Sequence, residues 1–152
     1  MGITLLIRDA RWRKTRSLGA RLKRAAALAL EQGASDSAAS LVILLTDDKR
    51  LRALNSSFRG KDKPTNVLSF PAAANRDGYL GDIAVAYGVA AAEARDAGKS
   101  LADHAAHLVV HGVLHLLGFD HHTARQAKVM ESLEVKVLKT LHIADPYGRK
   151  VA

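Results

Sequence analysis

The sequence predicts one α+β domain, a small mixed β-sheet packed with helices, with a three-histidine metal site at the end of a buried helix. Three observations carry this. Hydrophobic patterns run strand, helix, strand, helix, two strands, then helices, an order that suits helices packed on a mixed sheet. No internal repeat, low-complexity linker or composition break divides the 152 residues, so 1–152 forms a single domain with one core. Finally, one segment is apolar nearly all round yet carries histidines one helical turn apart.

Ile3 to Arg8 reads as a short strand. Ser17 to Gln32 places Leu18, Leu22, Ala25, Ala26, Ala29 and Leu30 at helical spacing, and Gly33 ends it. After a polar connection from Ser35 to Ala39, Leu41 to Leu45 is a continuous apolar run, read as a buried strand. Asp47 to Phe58 is helical with Leu51, Leu54 and Phe58 on one face. Gly60 supplies the stop and leaves Arg59 at the helix exit. Lys61 to Pro64 is a loop. Asn66 to Phe70 and Tyr79 to Ala86 are strands able to pair as a hairpin across the turn-rich Pro71 to Gly78. Val89 to Ala97 is an Ala-rich helix ended by Gly98. Ser100-Leu101-Ala102-Asp103 is a capping-box-like start to the next helix, with Asp in place of the usual Glu. Thr123-Ala124-Arg125-Gln126 opens a last helix with Met130, Leu133, Val137 and Leu141 on its apolar face, and Pro146 onward is a loose tail.

The chemistry concentrates in His111, His115 and His121, spaced H-x3-H-x5-H. Residues four apart share a helix face, so His111 and His115 can aim at one point. Gly118 offers the left-handed conformation that ends a helix and turns the chain, bringing His121 back toward that pair. Three neutral imidazoles leave a fourth tetrahedral position open, the mark of a catalytic rather than a structural zinc. The apolar surroundings argue the same way, since buried imidazoles need partners. His107 lies one turn before His111 and is either a supporting group or a bystander. His122 is the alternative third ligand. Asp120 is either an acceptor that orients an imidazole or a turn-stabilising carboxylate.

Cysteine is absent, which excludes a disulfide frame, a thiolate zinc site and a thiol nucleophile. No apolar run approaches a membrane span and no signal core opens the chain, so a soluble cytoplasmic protein is expected. The net charge of +8 is uneven. Arg8, Arg11, Arg13, Lys14, Arg16, Arg21, Lys23 and Arg24 face Asp9 alone, and a second cluster holds Lys49, Arg50, Arg52, Arg59, Lys61 and Lys63. Such clusters suit a polyanion such as RNA or a ribosomal surface; an acidic protein, headgroups or a merely solvated face fit as well. Aromatic residues are scarce, so no stacking platform for single-stranded bases is plain in the sequence.

The run from His111 to His121 resembles the H-G-x-L-H-L-x-G-[YF]-D-H signature of the YbeY family of rRNA maturation factors. Leu54 to Pro71, Leu80-Gly81-Asp82-Ile83 and Met130-Glu131-Ser132-Leu133-Glu134 also resemble family landmarks, so the likeness spans roughly 40 to 138. The resemblance implies a zinc-dependent, single-strand-directed endoribonuclease acting in 16S rRNA 3′-end maturation and ribosome quality control. It implies one zinc ion per chain on His111, His115 and His121, with His115 and Arg59 as catalytic residues and Arg59 handling RNA. Implied partners are rRNA and the small ribosomal subunit, with ribosomal or GTPase proteins as candidate protein partners and no membrane. Many members carry Asp where this chain has Asn66, so no acid–base role carries over to that position.

The histidine spacing is also that of H-E-x-x-H-x-x-G-x-x-H metalloproteases, but Gly112 fills the slot of their general-base Glu, which weighs against proteolysis. Gly112 can equally be a small residue for close helix packing. For phosphodiester cleavage, zinc could polarise a phosphate oxygen or activate water, and the planar fork of Arg59 matches phosphate geometry. Lys61 and Lys63 fit electrostatic steering of RNA. No general base is evident: water attack and attack by the RNA 2′-hydroxyl both stay open. The rival reading is a ribosome-assembly factor that binds RNA or protein around a structural zinc; a metal-dependent hydrolase of another substrate is a third.

Overall fold

The computed structural model describes residues 2–60 and 65–148, the side chain of Arg59 excepted. Four strands form one sheet in the order β1-β2-β4-β3, with β1 Gly2–Ile7, β2 Ser40–Thr46, β3 Val67–Pro71 and β4 Tyr79–Ala86. β1, β2 and β4 run parallel, and β3 pairs antiparallel with β4 as the expected hairpin, so the sheet is mixed. Five α-helices surround it: α1 Leu18–Gln32, α2 Asp48–Arg59, α3 Tyr87–Asp96, α4 Leu101–Leu116 and α5 Ala124–Thr140.

The strand period of two sorts side chains between the sheet's faces. On one face Leu41, Ile43 and Leu45 of β2 and Ile83 and Val85 of β4 join the large core built with α1, α4 and α5. On the other, Ala84 and Ala86 of β4 and Leu68 of β3 pack with Leu51 of α2 in a smaller cluster. The histidine helix thus lies on the heavily covered face, and α2 with Arg59 on the other. β3 is an edge strand, and both faces meet along its outer side.

Helix boundaries follow their capping chemistry. Asp47 caps α2 by accepting from the Arg50 amide at 2.7 Å, and Ser100 caps α4 by accepting from the Asp103 amide at 3.1 Å. Thr123 and Gln126 form the full reciprocal box at α5.

Three features depart from the sequence reading. Ala10–Lys14 forms a short 3-10 helix that buries Trp12, whose indole N–H donates to the Thr46 carbonyl at 3.0 Å. Phe58, expected on the apolar face of α2 with Leu51 and Leu54, is 70% exposed and touches the sheet only through Phe70 of the edge strand β3 among the ring contacts of the described residues. The stretch from Pro146 is not loose at its start: Tyr147 docks back on the core, as described below.

Candidate metal centre

α4 delivers its histidines along one face. His104, His107, His111 and His115 follow at helical spacing, and the helix is seated on the sheet at Gly112. A Cβ at Gly112 would lie 3.0 Å and 3.2 Å from the Ile83 methyl and methylene carbons and 3.2 Å from Ser69 Oγ. The Ser69 hydroxyl donates to the Gly112 carbonyl at 3.1 Å in that same contact. Gly112 is therefore a packing residue, and the carboxylate side chain that metalloproteases carry here would press on Ile83 and Ser69.

The helix stops as the sequence predicted. The Phe119 amide donates to the Leu114 carbonyl and the Gly118 amide to the His115 carbonyl, both at 3.0 Å, with Gly118 at φ +97. This is the Schellman arrangement, which needs a residue tolerant of positive φ. The chain reverses, and Asp120 accepts from the His121 amide at 2.8 Å, fixing the turn that returns His121 to the helix.

One ligand atom each from His111, His115 and His121 lies within 4.8 Å of the other two, the group of that kind found among the described residues. Ring centroids stand 4.5 Å apart for His111 and His115, 5.1 Å for His115 and His121, and 5.6 Å for His111 and His121. His122 does not join them: it is 80% exposed and pairs with Asp120 at 2.8 Å. Asp120 serves the turn and His122, standing 3.7 Å from the His121 Nδ1, and the backbone N–H of His121 is the main cause that holds its carboxyl below the usual range.

The residue that sequence reasoning did not single out is Glu134. Its side chain is fully buried. It receives His111 Nδ1 at 2.7 Å, lies 3.4 Å from His107 Nε2 and accepts the Tyr147 hydroxyl. Burial alone would push this carboxyl up; the hydrogen bonds from His107, His111 and Tyr147 outweigh it and hold it down at about 2. A signal was present, since Glu134 falls between Met130 and Val137 on the apolar stripe of α5, where an unpaired carboxylate would be costly. His107 is thus a supporting group.

This network tests whether the residues fit a metal ion. With its Nδ1 proton donated to Glu134, His111 presents an Nε2 lone pair, and that atom stands 3.1 Å from His115 Nε2. Burial, followed by the neighbouring His111 and His121, pushes the His115 imidazole down, favouring its neutral form. Convergent imidazoles, one of them oriented by a carboxylate, are the donor set of a zinc site with an open position. The residues fit.

The histidines open into a cleft of about 930 Å³ that runs along the outer side of β3. Its walls include Val67, Ser69 and Pro71 from β3, Asn55 from α2, and His107, His111, His115 and His121. Asn66 lines the cleft as a clamp: its amide donates to Glu93 at 3.0 Å and its oxygen accepts from the Val67 amide at 2.7 Å, while Glu93 also meets His104 at 3.0 Å. Asparagine suits this place because it donates to one carboxylate while accepting from the backbone. Arg59 is the last residue of α2, one turn beyond Asn55; its side chain, and Lys61 and Lys63 entirely, lie outside the described residues.

A family model described as Endoribonuclease YbeY matches residues 7–142. The chain is similar to proteins named Endoribonuclease YbeY from several bacteria. It is 49% identical to that of Rhodopseudomonas palustris, over 90% of this chain and 76% of the relative. It is 53% identical to that of Chelativorans sp., over 72% and 71%, and 49% identical to that of Paramagnetospirillum magneticum, over 86% and 85%. The solution structure of TM1509 from Thermotoga maritima shares the fold with TM-score 0.61 at 24% identity, covering 97% of this chain and 99% of that one.

Proposed function

The chain belongs to the Endoribonuclease YbeY family, and on that premise we propose that it is a zinc-dependent, single-strand-specific endoribonuclease acting in 16S rRNA 3′-end maturation and ribosome quality control. The observation that carries this reading is the convergence of His111, His115 and His121 at a cleft beside an edge strand, with His111 oriented by a buried carboxylate. These three side chains would hold one zinc ion. When bound, the ion supplies a Lewis acid for a phosphate oxygen and lowers the pKa of water toward about 7.

The chain's own residues do the rest. Glu134 keeps the His111 proton on Nδ1, so that Nε2 faces the cleft as a donor. His107 and Tyr147 hold Glu134 in turn. The Gly118 turn sets His121 against the helix pair. Asn66 ties the start of β3 to α3, keeping the cleft wall at a fixed distance from α4. Arg59, carried at the exit of α2, matches the charge and geometry of a phosphodiester and would offset charge developing there. Lys61 and Lys63 would steer RNA toward the cleft rather than join the chemistry. The proposed partners are rRNA and the small ribosomal subunit, with a cytoplasmic location. Among the described residues, no helix is long and apolar enough to cross a membrane.

The deciding experiment is cleavage of a 3′-extended 16S rRNA fragment by the wild-type protein and His115→Ala, each prepared with the same zinc supply and checked for folding. Cleavage by the wild type alone, with about one zinc per chain for the three-ligand site, is expected. Equal cleavage by both would overturn the assignment. Binding without cleavage by either would favour an assembly factor with a structural zinc.

A further inference from the structure

We propose that Phe58, which lies against Phe70 next to the cleft residue Pro71, is a stacking platform for an unpaired base of an RNA strand leaving the cleft; this rests on the nuclease reading above. Leu51 and Leu54 of the same α2 stripe turn into the sheet, but Phe58, one turn further on, is 70% exposed. Its ring is nonetheless held, meeting Phe70 of β3 edge-on with centroids 5.5 Å apart and planes at 66°. A phenyl ring held by one aromatic contact and still 70% exposed leaves a surface on which a base can stack.

The position fits a strand lying in the cleft. Phe70 and Pro71 close the same end of β3, and Pro71, His115 and His121 line the cleft there. α4 packs on one face of the sheet and α2 on the other, with Phe58 of α2 meeting β3 at Phe70. Asn55, one turn before Phe58, is buried and reaches the cleft wall, and Arg59 follows Phe58 directly. Stacking tolerates every base but needs one that has left its helix, which gives the site a preference for single strands without sequence readout.

The test uses zinc-loaded full-length protein and a short unstructured RNA carrying 2-aminopurine, read in the first moments after mixing, with a blunt RNA duplex as control. Phe58→Ala and Phe58→Leu should each weaken single-strand affinity roughly tenfold and abolish the aminopurine quench, since base–aromatic stacks contribute about 1–3 kcal/mol. Phe58→Tyr should retain both, and duplex affinity should not change in any variant. Phe58→Leu keeps an apolar contact for Phe70 but has no aromatic face; wild-type binding by this variant would make Phe58 a packing residue and overturn the proposal. Equal losses on single strand and duplex, or unchanged binding by Phe58→Ala, would overturn it too. A wild-type protein that binds no single-stranded RNA would defeat the nuclease reading itself.

Discussion

A buried carboxylate beside a metal-binding imidazole fixes which ring nitrogen carries the proton and makes the other a better donor. Glu134 occupies that place, fully buried and engaged by His107, His111 and Tyr147. Glu134→Gln should therefore leave the fold intact and lower zinc affinity by about 10- to 100-fold, measured by competition against a chelator. The same residue gives a pH dependence. Its folded pKa of about 2 lies below the ordinary 4.5, so the unfolded chain binds more protons through that interval. Its contribution to stability is complete above the unfolded pKa and is lost as pH falls toward the folded one. Metal-free wild type should accordingly lose melting temperature between roughly pH 5 and 2 more steeply than Glu134→Gln. Parallel curves for the two proteins would show that the carboxylate is not the linked group. The residue was hard to see in the sequence because its partners, His107, His111 and Tyr147, lie 27, 23 and 13 positions away.

Two glycines decide how α4 presents its histidines, for opposite reasons. Gly118 is needed for its backbone, at φ +97, and Gly112 for its missing side chain. Gly118→Ala should cost about 1–3 kcal/mol of stability, and cleavage should fall because His121 is displaced from the helix pair. Gly112→Glu, which restores the metalloprotease pattern in sequence, should not create a peptidase. It forces atoms into Ile83 and Ser69, and overpacking of this kind costs about 1–3 kcal/mol or more, read as a lower melting temperature with less bound zinc. At this scale much of the architecture was legible. The caps at Ser100 and Thr123, the Gly118 stop and the hairpin of β3 and β4 all rest on local chemistry that a sequence displays directly. The parallel order of β1, β2 and β4 is a tertiary matter, and so is Trp12, whose burial depends on the distant Thr46 carbonyl. Phe58 shows the limit of periodicity: a stripe along a helix implies burial only where neighbours cover it from more than one side, and here the edge strand offers the Phe70 ring.

Over the whole molecule, folding joins two basic clusters that are separate in the chain, through Arg8 and Arg50, 42 positions apart. Arg50 donates to the Arg8 carbonyl at 2.8 Å, tying the start of α2 to the end of β1 and the 3-10 helix. Three carboxylates among these cations are already engaged. Asp9 pairs with Arg11, Asp47 caps α2 and pairs with Arg50, and Asp48 accepts from the Val89 amide. Arg13, Lys14 and Lys49 remain exposed around that junction, a concentration of positive charge suited to phosphates of a long RNA. Binding that rests on phosphates must weaken with salt, because each neutralised phosphate releases counterions. Replacing Arg13, Lys14 and Lys49 with Glu should lower the slope of log affinity against log salt by roughly two, at about 0.7 per single-strand phosphate contact. The measurement is a salt titration of binding to a full 3′ rRNA fragment. A slope equal to that of the wild type would mean that RNA does not reach this face and that its charge serves a different partner.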